Sequence, residues 1–123
     1  LPVSAPFHCA LMEPVVARLE TVLRDFKDPL FPVVSNVEAA PNADGAKLKD
    51  LLLRQVTRSV RWSQSVQAMV AAGVTQVIEL GPGKVLCGLV KRISKSIECF
   101  NVEDPASLEK TLAALASGGA RTT

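Results

Sequence analysis

The only histidine of the chain, His8, is the side chain best suited to moving a proton. A helical spacing of apolar residues begins at Ala10, and Pro14 is tolerated only in the first turn of a helix, so a helix is expected to begin between residues 10 and 13. His8 would then lie just ahead of a helix N-terminus, whose positive end favours the neutral imidazole of a general base. A lone histidine is more often a surface or core residue, so its position alone leaves both interpretations open.

A second candidate site is the turn Gly81-Pro82-Gly83, which follows a predicted strand over Thr75–Leu80 and precedes a predicted helix. Anions bind at such strand-to-helix turns. With Gly88, the spacing loosely resembles a dinucleotide fingerprint, in which Glu103 stands where a ribose contact is expected, although Leu86 occupies the place of the third glycine. A nucleotide-binding or interaction module is therefore one alternative, and a tight turn without a ligand is the other.

Other chemistries find little support among the remaining residue types. None of the serines lies in a Gly-x-Ser-x-Gly elbow, so the chain offers a base without a nucleophile. An odd number of cysteines without a Cys-x-x-Cys pair disfavours a disulfide framework, and one histidine with scattered thiols predicts no metal site. We expect a reducing, cytoplasmic environment. The cysteines are Cys9, Cys87 and Cys99.

Composition limits the partners of the chain. Its 14 basic and 12 acidic residues give a net charge of +2, aromatic residues make up 4%, and tyrosine is absent. Nucleic-acid surfaces interleave basic grooves with aromatic platforms, so no nucleic-acid partner is expected. The longest uncharged run, Trp62 to Ile78, is broken by Gly73 and is too short for a membrane span, so no membrane partner is expected either.

The elements that must position these residues alternate between helix and strand. Such alternation is typical of an α/β fold, here a parallel sheet with flanking helices and right-handed crossovers. Three strands are few for a complete sheet of this kind. The predicted elements are a helix from residues 10–13 to about Phe26, a strand over Phe31–Val37, helices from Asp44 or Gly45 and from Trp62 to a stop at Gly73, a strand over Thr75–Leu80, a helix from Val85 to Ile93, a strand over Ile97–Val102, and a helix from Pro105, capped by Asp104, to Gly118-Gly119.

Five short motifs occur in the order found in one enzyme family. Their sequences are Ser4-Ala5-Pro6-Phe7-His8-Cys9-Ala10-Leu11-Met12, Pro32-Val33-Val34-Ser35-Asn36-Val37, Leu53-Arg54-Gln55-Val56, Arg61-Trp62-Ser63-Gln64-Ser65-Val66 and Glu79-Leu80-Gly81-Pro82-Gly83-Lys84-Val85-Leu86. In these motifs the chain closely resembles the malonyl-CoA:acyl carrier protein transacylases of fatty-acid synthesis. It resembles the acyltransferase domains of polyketide synthases more distantly, and a segment of such a domain is a further alternative.

The resemblance implies that residues 1–123 are the C-terminal segment of the large acyltransferase domain, whose core is α/β-hydrolase-like. The family's nucleophilic serine, in a Gly-His-Ser-x-Gly elbow, its carboxylate-binding arginine and its ferredoxin-like small subdomain all lie upstream of the matching segment. The implied reaction is a ping-pong transfer of malonyl from coenzyme A to acyl carrier protein through an acyl-serine. It uses no cofactor besides the coenzyme A thioester substrate. The partners would be malonyl-CoA, acyl carrier protein and the missing N-terminal part of the same enzyme, without which the chain would be inactive.

The resemblance also assigns roles to individual residues. His8 would be the catalytic base, and the backbone carbonyl of Gln55 would hold the second nitrogen of its ring, as an aspartate does in a triad. Phe7 would narrow the acyl pocket and Val85 would line it. The pair Lys91-Arg92 matches positions where the family contacts its carrier protein. A solvated helix face is the alternative interpretation for that pair.

Overall fold

The computed structural model describes residues 6–118. Ser4 and Ala5 of the first motif, and Gly119 at the predicted end of the last helix, lie outside that range. The chain divides into two compact units, Leu1–Met69 and Val70–Thr123. Five α-helices and four strands occur among the described residues. In chain order they are α1 (Glu13–Val22), β1 (Val33–Val34), β2 (Pro41–Asn42), α2 (Gly45–Gln55), α3 (Trp62–Ala71), β3 (Gln76–Leu80), α4 (Val85–Ile93), β4 (Glu98–Val102) and α5 (Pro105–Gly118).

The first helix starts where its proline requires. A short 3-10 turn, Ala10–Met12, leads into α1, and Pro14 occupies the first turn, where a missing N–H costs nothing. The helix ends at Val22 rather than near Phe26. None of its residues is buried, and Val22 is 79% exposed. The apolar face predicted from the helical spacing is therefore largely uncovered in the part of the chain that the structure describes.

The predicted buried strand over Phe31–Val37 was wrong. Only Val33–Val34 is a strand, and it pairs antiparallel with Pro41–Asn42 rather than joining a parallel sheet. Phe31 is 71% exposed. Pro32 has no N–H to donate to a hydrogen bond between strands, so the strand begins only after it, at Val33. At the other end the N–H of Ala39, in a left-handed conformation at φ 56°, donates to the carbonyl of Ser35 (2.8 Å) and reverses the chain.

The second helix of the first unit is anchored at its start. The carboxylate of Asp44 accepts a hydrogen bond from the N–H of Lys47 at 2.7 Å, which is an N-cap. The N–H of Gly45 donates to Asp28 at 2.7 Å. A Cβ at Gly45 would lie 2.7 Å from the carbonyl carbon of Lys27, so only glycine lets the chain approach this closely. Leu48 and Leu51 form the buried face of α2.

The parallel sheet lies in the second unit and has two strands. β3 and β4 pair in parallel with Gln76 opposite Glu98 and Leu80 opposite Val102, and α4 connects them. The α/β class, with a parallel sheet and flanking helices, is confirmed. Asp104 caps α5 by accepting the N–H of Ser107 at 2.7 Å, as the sequence predicts. The buried apolar residues of this unit are Cys87, Val90 and Ile97.

Candidate functional site

His8 and Gln55, forty-seven residues apart in sequence, are joined by a hydrogen bond in the first unit. The Nδ1 atom of His8 lies 2.9 Å from the backbone carbonyl oxygen of Gln55. A carbonyl can only accept, so Nδ1 carries the proton and donates it. In the neutral ring, Nε2 then has the lone pair, which is the arrangement that a general base requires.

The carbonyl of Gln55 belongs to the last residue of α2. The final carbonyls of a helix have no partner within it, and together they form its negative end. The His8 ring caps one of these groups. The ring of His8 is thus held against the carboxyl end of α2 by a group that belongs to the backbone.

The helix that follows His8 begins at the far end of the predicted range, residues 10–13. His8 precedes a 3-10 turn of three residues, and α1 itself starts only at Glu13. The field of a helix end falls off within about one turn, and five positions separate His8 from Glu13, the first residue of α1.

The backbone of His8 adopts a left-handed conformation with φ 58°. Residues with a Cβ rarely adopt this region, and they cluster at functional sites, where the surroundings hold them in place. The side chain is exposed, so the ring can be reached from outside the unit. Histidine is one of the few residue types besides glycine that are enriched at positive φ, but nothing else in the sequence around position 8 signals this conformation.

An apolar groove of about 260 Å³ lies beside the ring. Phe7 lines it and is 59% exposed. The carbonyl that holds His8 therefore lies next to a surface able to contact an apolar group. The other apolar side chains of this groove are Met12, Val15, Leu19, Leu52 and Val56.

Charged side chains fasten α2 to the loop after β1, although the sequence alone did not pair them. Glu38 lies 3.1 Å from the ammonium of Lys47 and 3.6 Å from the guanidinium of Arg54. Arg54 also reaches Asp50, one turn away, at 3.4 Å. The pairs are partly exposed and each contributes little to stability, but together they help to orient the helix that ends at Gln55.

The glycine turn of the second unit is filled by the protein's own carboxylates. Glu79 accepts the N–H groups of Leu86 (3.0 Å) and Cys87 (2.8 Å), and Glu103 accepts the N–H of Gly83 at 2.8 Å. The hydrogen bond from Cys87, with further help from Leu86, holds the pKa of Glu79 below its ordinary value. An incoming phosphate would compete with these two anions, and Glu103 is engaged by the turn rather than available for a ribose. The nucleotide-binding alternative is not favoured.

The other residues singled out from the sequence lie on α4, in the second unit. Val85 is its first residue and is 52% exposed. Lys91 and Arg92 are exposed in its last turn, where positive charge also complements the negative end of the helix. The structure therefore brings together His8, Gln55 and Phe7, and it separately places Val85 and the basic pair on one helix.

Metal sites and membrane spans are both absent from residues 6–118. No group of three or more histidine, cysteine or acidic side chains is arranged to hold a metal ion. No helix in this range is long and apolar enough to cross a membrane.

Comparisons with known proteins bear directly on this site. No protein-family model matches the chain. The malonyl CoA-acyl carrier protein transacylase of Salmonella typhimurium is 43% identical over 114 residues, which are 91% of this chain and 37% of that protein. The crystal structure of an acyl carrier protein S-malonyltransferase from Vibrio cholerae is similar with a TM-score of 0.79 at 48% identity, over 90% of this chain and 37% of that one.

A further solved structure shows a type II polyketide acyl-carrier protein in complex with its malonyl-transacylase, and it matches with a TM-score of 0.83 at 41% identity. The match covers 93% of this chain and 38% of the matched chain in that structure. The chain thus spans a little over a third of the length of these relatives. The matches confirm the resemblance predicted from the motifs: the chain is homologous to part of the malonyl CoA-acyl carrier protein transacylases.

Proposed function

We propose that this chain provides the general base of a malonyl-CoA:acyl carrier protein transacylase of fatty-acid synthesis. The observation that carries the proposal is the 2.9 Å hydrogen bond from His8 Nδ1 to the Gln55 carbonyl, found in a chain 43% identical to a protein of that name. The bond fixes the tautomer in which Nε2 can accept a proton.

The first half-reaction uses His8 twice. Nε2 takes the proton of a serine hydroxyl in the remainder of the enzyme as its oxygen attacks the malonyl thioester carbonyl. The resulting imidazolium then gives that proton to the departing thiolate of coenzyme A, which leaves an acyl-serine. The negative end of α2, acting through the Gln55 carbonyl, stabilises the imidazolium between these steps.

The second half-reaction runs in the opposite direction with a different thiol. Nε2 takes the proton of the phosphopantetheine thiol of acyl carrier protein as its sulfur attacks the acyl-serine. The imidazolium returns the proton to the serine oxygen as the acyl bond to it breaks. Protons and bonds balance over the two halves, and the proposed steps use only His8, the serine and the two thiols.

The chain would occupy one defined part of the enzyme. We assign residues 1–123 to the C-terminal segment of the large acyltransferase domain, with the serine elbow, the carboxylate-binding arginine and the small subdomain supplied by the rest of the protein. Phe7, exposed beside His8, would narrow the acyl pocket, and Val85 would line it. We place the protein in the cytoplasm, where its three free thiols would stay reduced.

The carrier protein would approach α4. Acyl carrier proteins are acidic, and the exposed Lys91 and Arg92 offer two adjacent positive charges at the end of that helix. Charges of this kind act mainly on the rate of encounter.

A chimera tests the proposal. The segment of the Salmonella enzyme that matches this chain is replaced by residues 1–123, and transfer of radiolabelled malonyl from coenzyme A to acyl carrier protein is measured. A folded chimera should transfer malonyl, and His8→Ala should abolish most of the transfer. A folded chimera that transfers malonyl equally well with alanine at position 8 would refute the role of His8.

A further inference from the structure

Two of the three cysteines lie on facing surfaces of the second unit. Cys99 is on β4, two residues before Asn101, and Asn101 is opposite Glu79 in the parallel register. Side chains alternate along a strand, so Cys99, Asn101 and Glu79 share one face of the sheet. Glu79 accepts the N–H of Cys87 at 2.8 Å, which shows that α4 covers this same face.

The thiol of Cys87 lies directly over β4. Its Sγ atom is 3.2 Å from the carbonyl oxygen of Phe100, the residue that follows Cys99. Both cysteines line one groove of about 640 Å³ between α4, β4 and α5. Cys87 is 7% exposed, whereas Cys99 is half-buried and only weakly held, with its Sγ atom 4.0 Å from the carbonyl oxygen of Ile97. The two thiols are thus neighbours, and one can be reached through the groove.

The electrostatics of the pair agree with this placement. Burial raises the pKa of Cys87 to about 11, and hydrogen bonding to Glu79 and the nearby Cys99 thiol add to the increase. Cys87 is therefore a protonated thiol at neutral pH and a poor first nucleophile. Attack on an oxidant is expected to start from the more accessible Cys99.

We propose that Cys87 and Cys99 form a redox-active dithiol, which a low-molecular-weight disulfide such as oxidised glutathione converts into an intramolecular disulfide. The Cys99 thiolate attacks the S–S bond of oxidised glutathione, that bond breaks, and one glutathione thiolate leaves. Cys87 loses its proton, its sulfur attacks Cys99 Sγ, and the second glutathione thiolate leaves. Two protein thiols are oxidised, one glutathione disulfide is reduced, and the two protons end on the two glutathione thiols.

The bond would join α4 to β4 across the groove. The helix that carries Val85, Lys91 and Arg92 would then be covalently tied to the sheet. Where glutathione is mostly reduced the pair stays a dithiol, and the bond forms as the ratio of oxidised to reduced glutathione rises. The proposal rests on contacts within the second unit and does not depend on the role assigned to His8.

The experiment measures the effective concentration of one thiol at the other. This quantity is obtained from the equilibrium between the protein dithiol with oxidised glutathione and the protein disulfide with reduced glutathione. The Cys9→Ser chain, which retains only Cys87 and Cys99, is equilibrated over a range of reduced-to-oxidised glutathione ratios. The same equilibration in concentrated urea gives the value for a flexible loop closed between residues 87 and 99. Free thiols are trapped by alkylation, and the species are separated by intact mass. Without urea, the folded Cys9→Ser chain should show an effective concentration at least about tenfold above the value in urea.

Two matched variants and a second readout make the outcome decisive. With serine at position 87 or at position 99 in the same background, only mixed disulfides with glutathione should form. A disulfide that forms more readily in the folded state stabilises that state by the same free energy. The oxidised chain should therefore unfold at a higher urea concentration than the reduced chain. Equal effective concentrations with and without urea, or accumulation of the doubly glutathionylated chain under native conditions, would overturn the proposal.

Discussion

His8 donates its Nδ1 proton to the backbone carbonyl of Gln55, not to an acidic side chain, at 2.9 Å. A carbonyl orients the ring as an aspartate would, but it brings no full negative charge. Part of that charge is replaced by the end of α2, whose final carbonyls carry the negative pole of the helix. The hydrogen bond uses a backbone atom of Gln55. It therefore requires a particular backbone conformation at position 55, but not a particular side chain.

Substitutions at these two positions should therefore have unequal effects. In the chimera, His8→Ala should slow both acylation and deacylation by about 10²–10⁴-fold, because a positioned base contributes that much. Gln55→Ala keeps the carbonyl and should retain most of the activity. Single-turnover rates with labelled malonyl-CoA measure acylation, and release of label to acyl carrier protein measures deacylation.

The dependence of acylation on pH separates a catalytic from a structural role for His8. With histidine present, the rate should rise with pH through the titration of an imidazole, because only the neutral ring accepts a proton. With alanine, that step should disappear. An identical pH profile in both proteins would mean that His8 only supports the fold.

The isolated chain should not be acylated. It contains a base but no serine in a nucleophile elbow, so the covalent step has no acceptor. Incubation of residues 1–123 with radiolabelled malonyl-CoA should leave no hydroxylamine-sensitive label on the protein, whereas the chimera should be labelled. Stable labelling of the isolated chain would refute this expectation.

Glu79→Gln should destabilise the second unit in a pH-dependent way. Hydrogen bonds from the α4 N-terminus lower the pKa of Glu79 below its ordinary value of 4.5, so its carboxylate contributes stability above that pH. The contribution is lost as pH falls through the lowered value. Urea unfolding should show the variant less stable than the unmodified chain at neutral pH, with the difference shrinking below about pH 4.5. Glu109→Gln, at an exposed position on α5, provides the control.

Reversing both charges at Lys91 and Arg92 should weaken association of the chimera with acyl carrier protein. The loss should appear mainly in the association rate, and the variant should depend less on salt, because steering charges are screened by ions. In a control variant, the charges of Arg18 and Arg24, which are exposed elsewhere, are reversed. This variant has the same net charge as the one altered at Lys91 and Arg92. Equal kinetics for the two variants would assign Lys91 and Arg92 to an ordinary solvated face.

Two glycine-to-alanine substitutions in helices should have opposite signs. Gly88 lies inside α4 with no atom within 4 Å of an added Cβ, so Gly88→Ala should stabilise the chain by about 0.5–1 kcal/mol through helix propensity. Gly45→Ala, at the first position of α2, would place its Cβ 2.7 Å from the backbone of Lys27 and should destabilise the chain, because that backbone would have to move. Urea unfolding of the two variants tests this contrast.

Local patterns in the sequence predicted the helix ends and strands whose positions depend mainly on neighbouring residues. Pro14 positioned the start of α1, Asp104 with Pro105 positioned the start of α5, and Gly73, with φ 85°, followed the end of α3 as predicted. The strands of the second unit were predicted to within a residue, because runs of apolar residues between turn signals require little tertiary context. The motifs, read as a resemblance, also brought His8 and Gln55 into one hypothesis before any geometry was known.

Only the tertiary structure decided what depends on contacts between distant segments. Phe31–Val37 has the composition of a buried strand, yet its pairing partner is β2, and only the folded chain shows that β2 runs antiparallel to it. The glycine turn has the spacing of an anion site, but Glu79 and Glu103, brought to it from two neighbouring strand ends, already occupy its N–H groups. A sequence specifies which groups can donate or accept, whereas the fold decides which partner lies within hydrogen-bond distance of each.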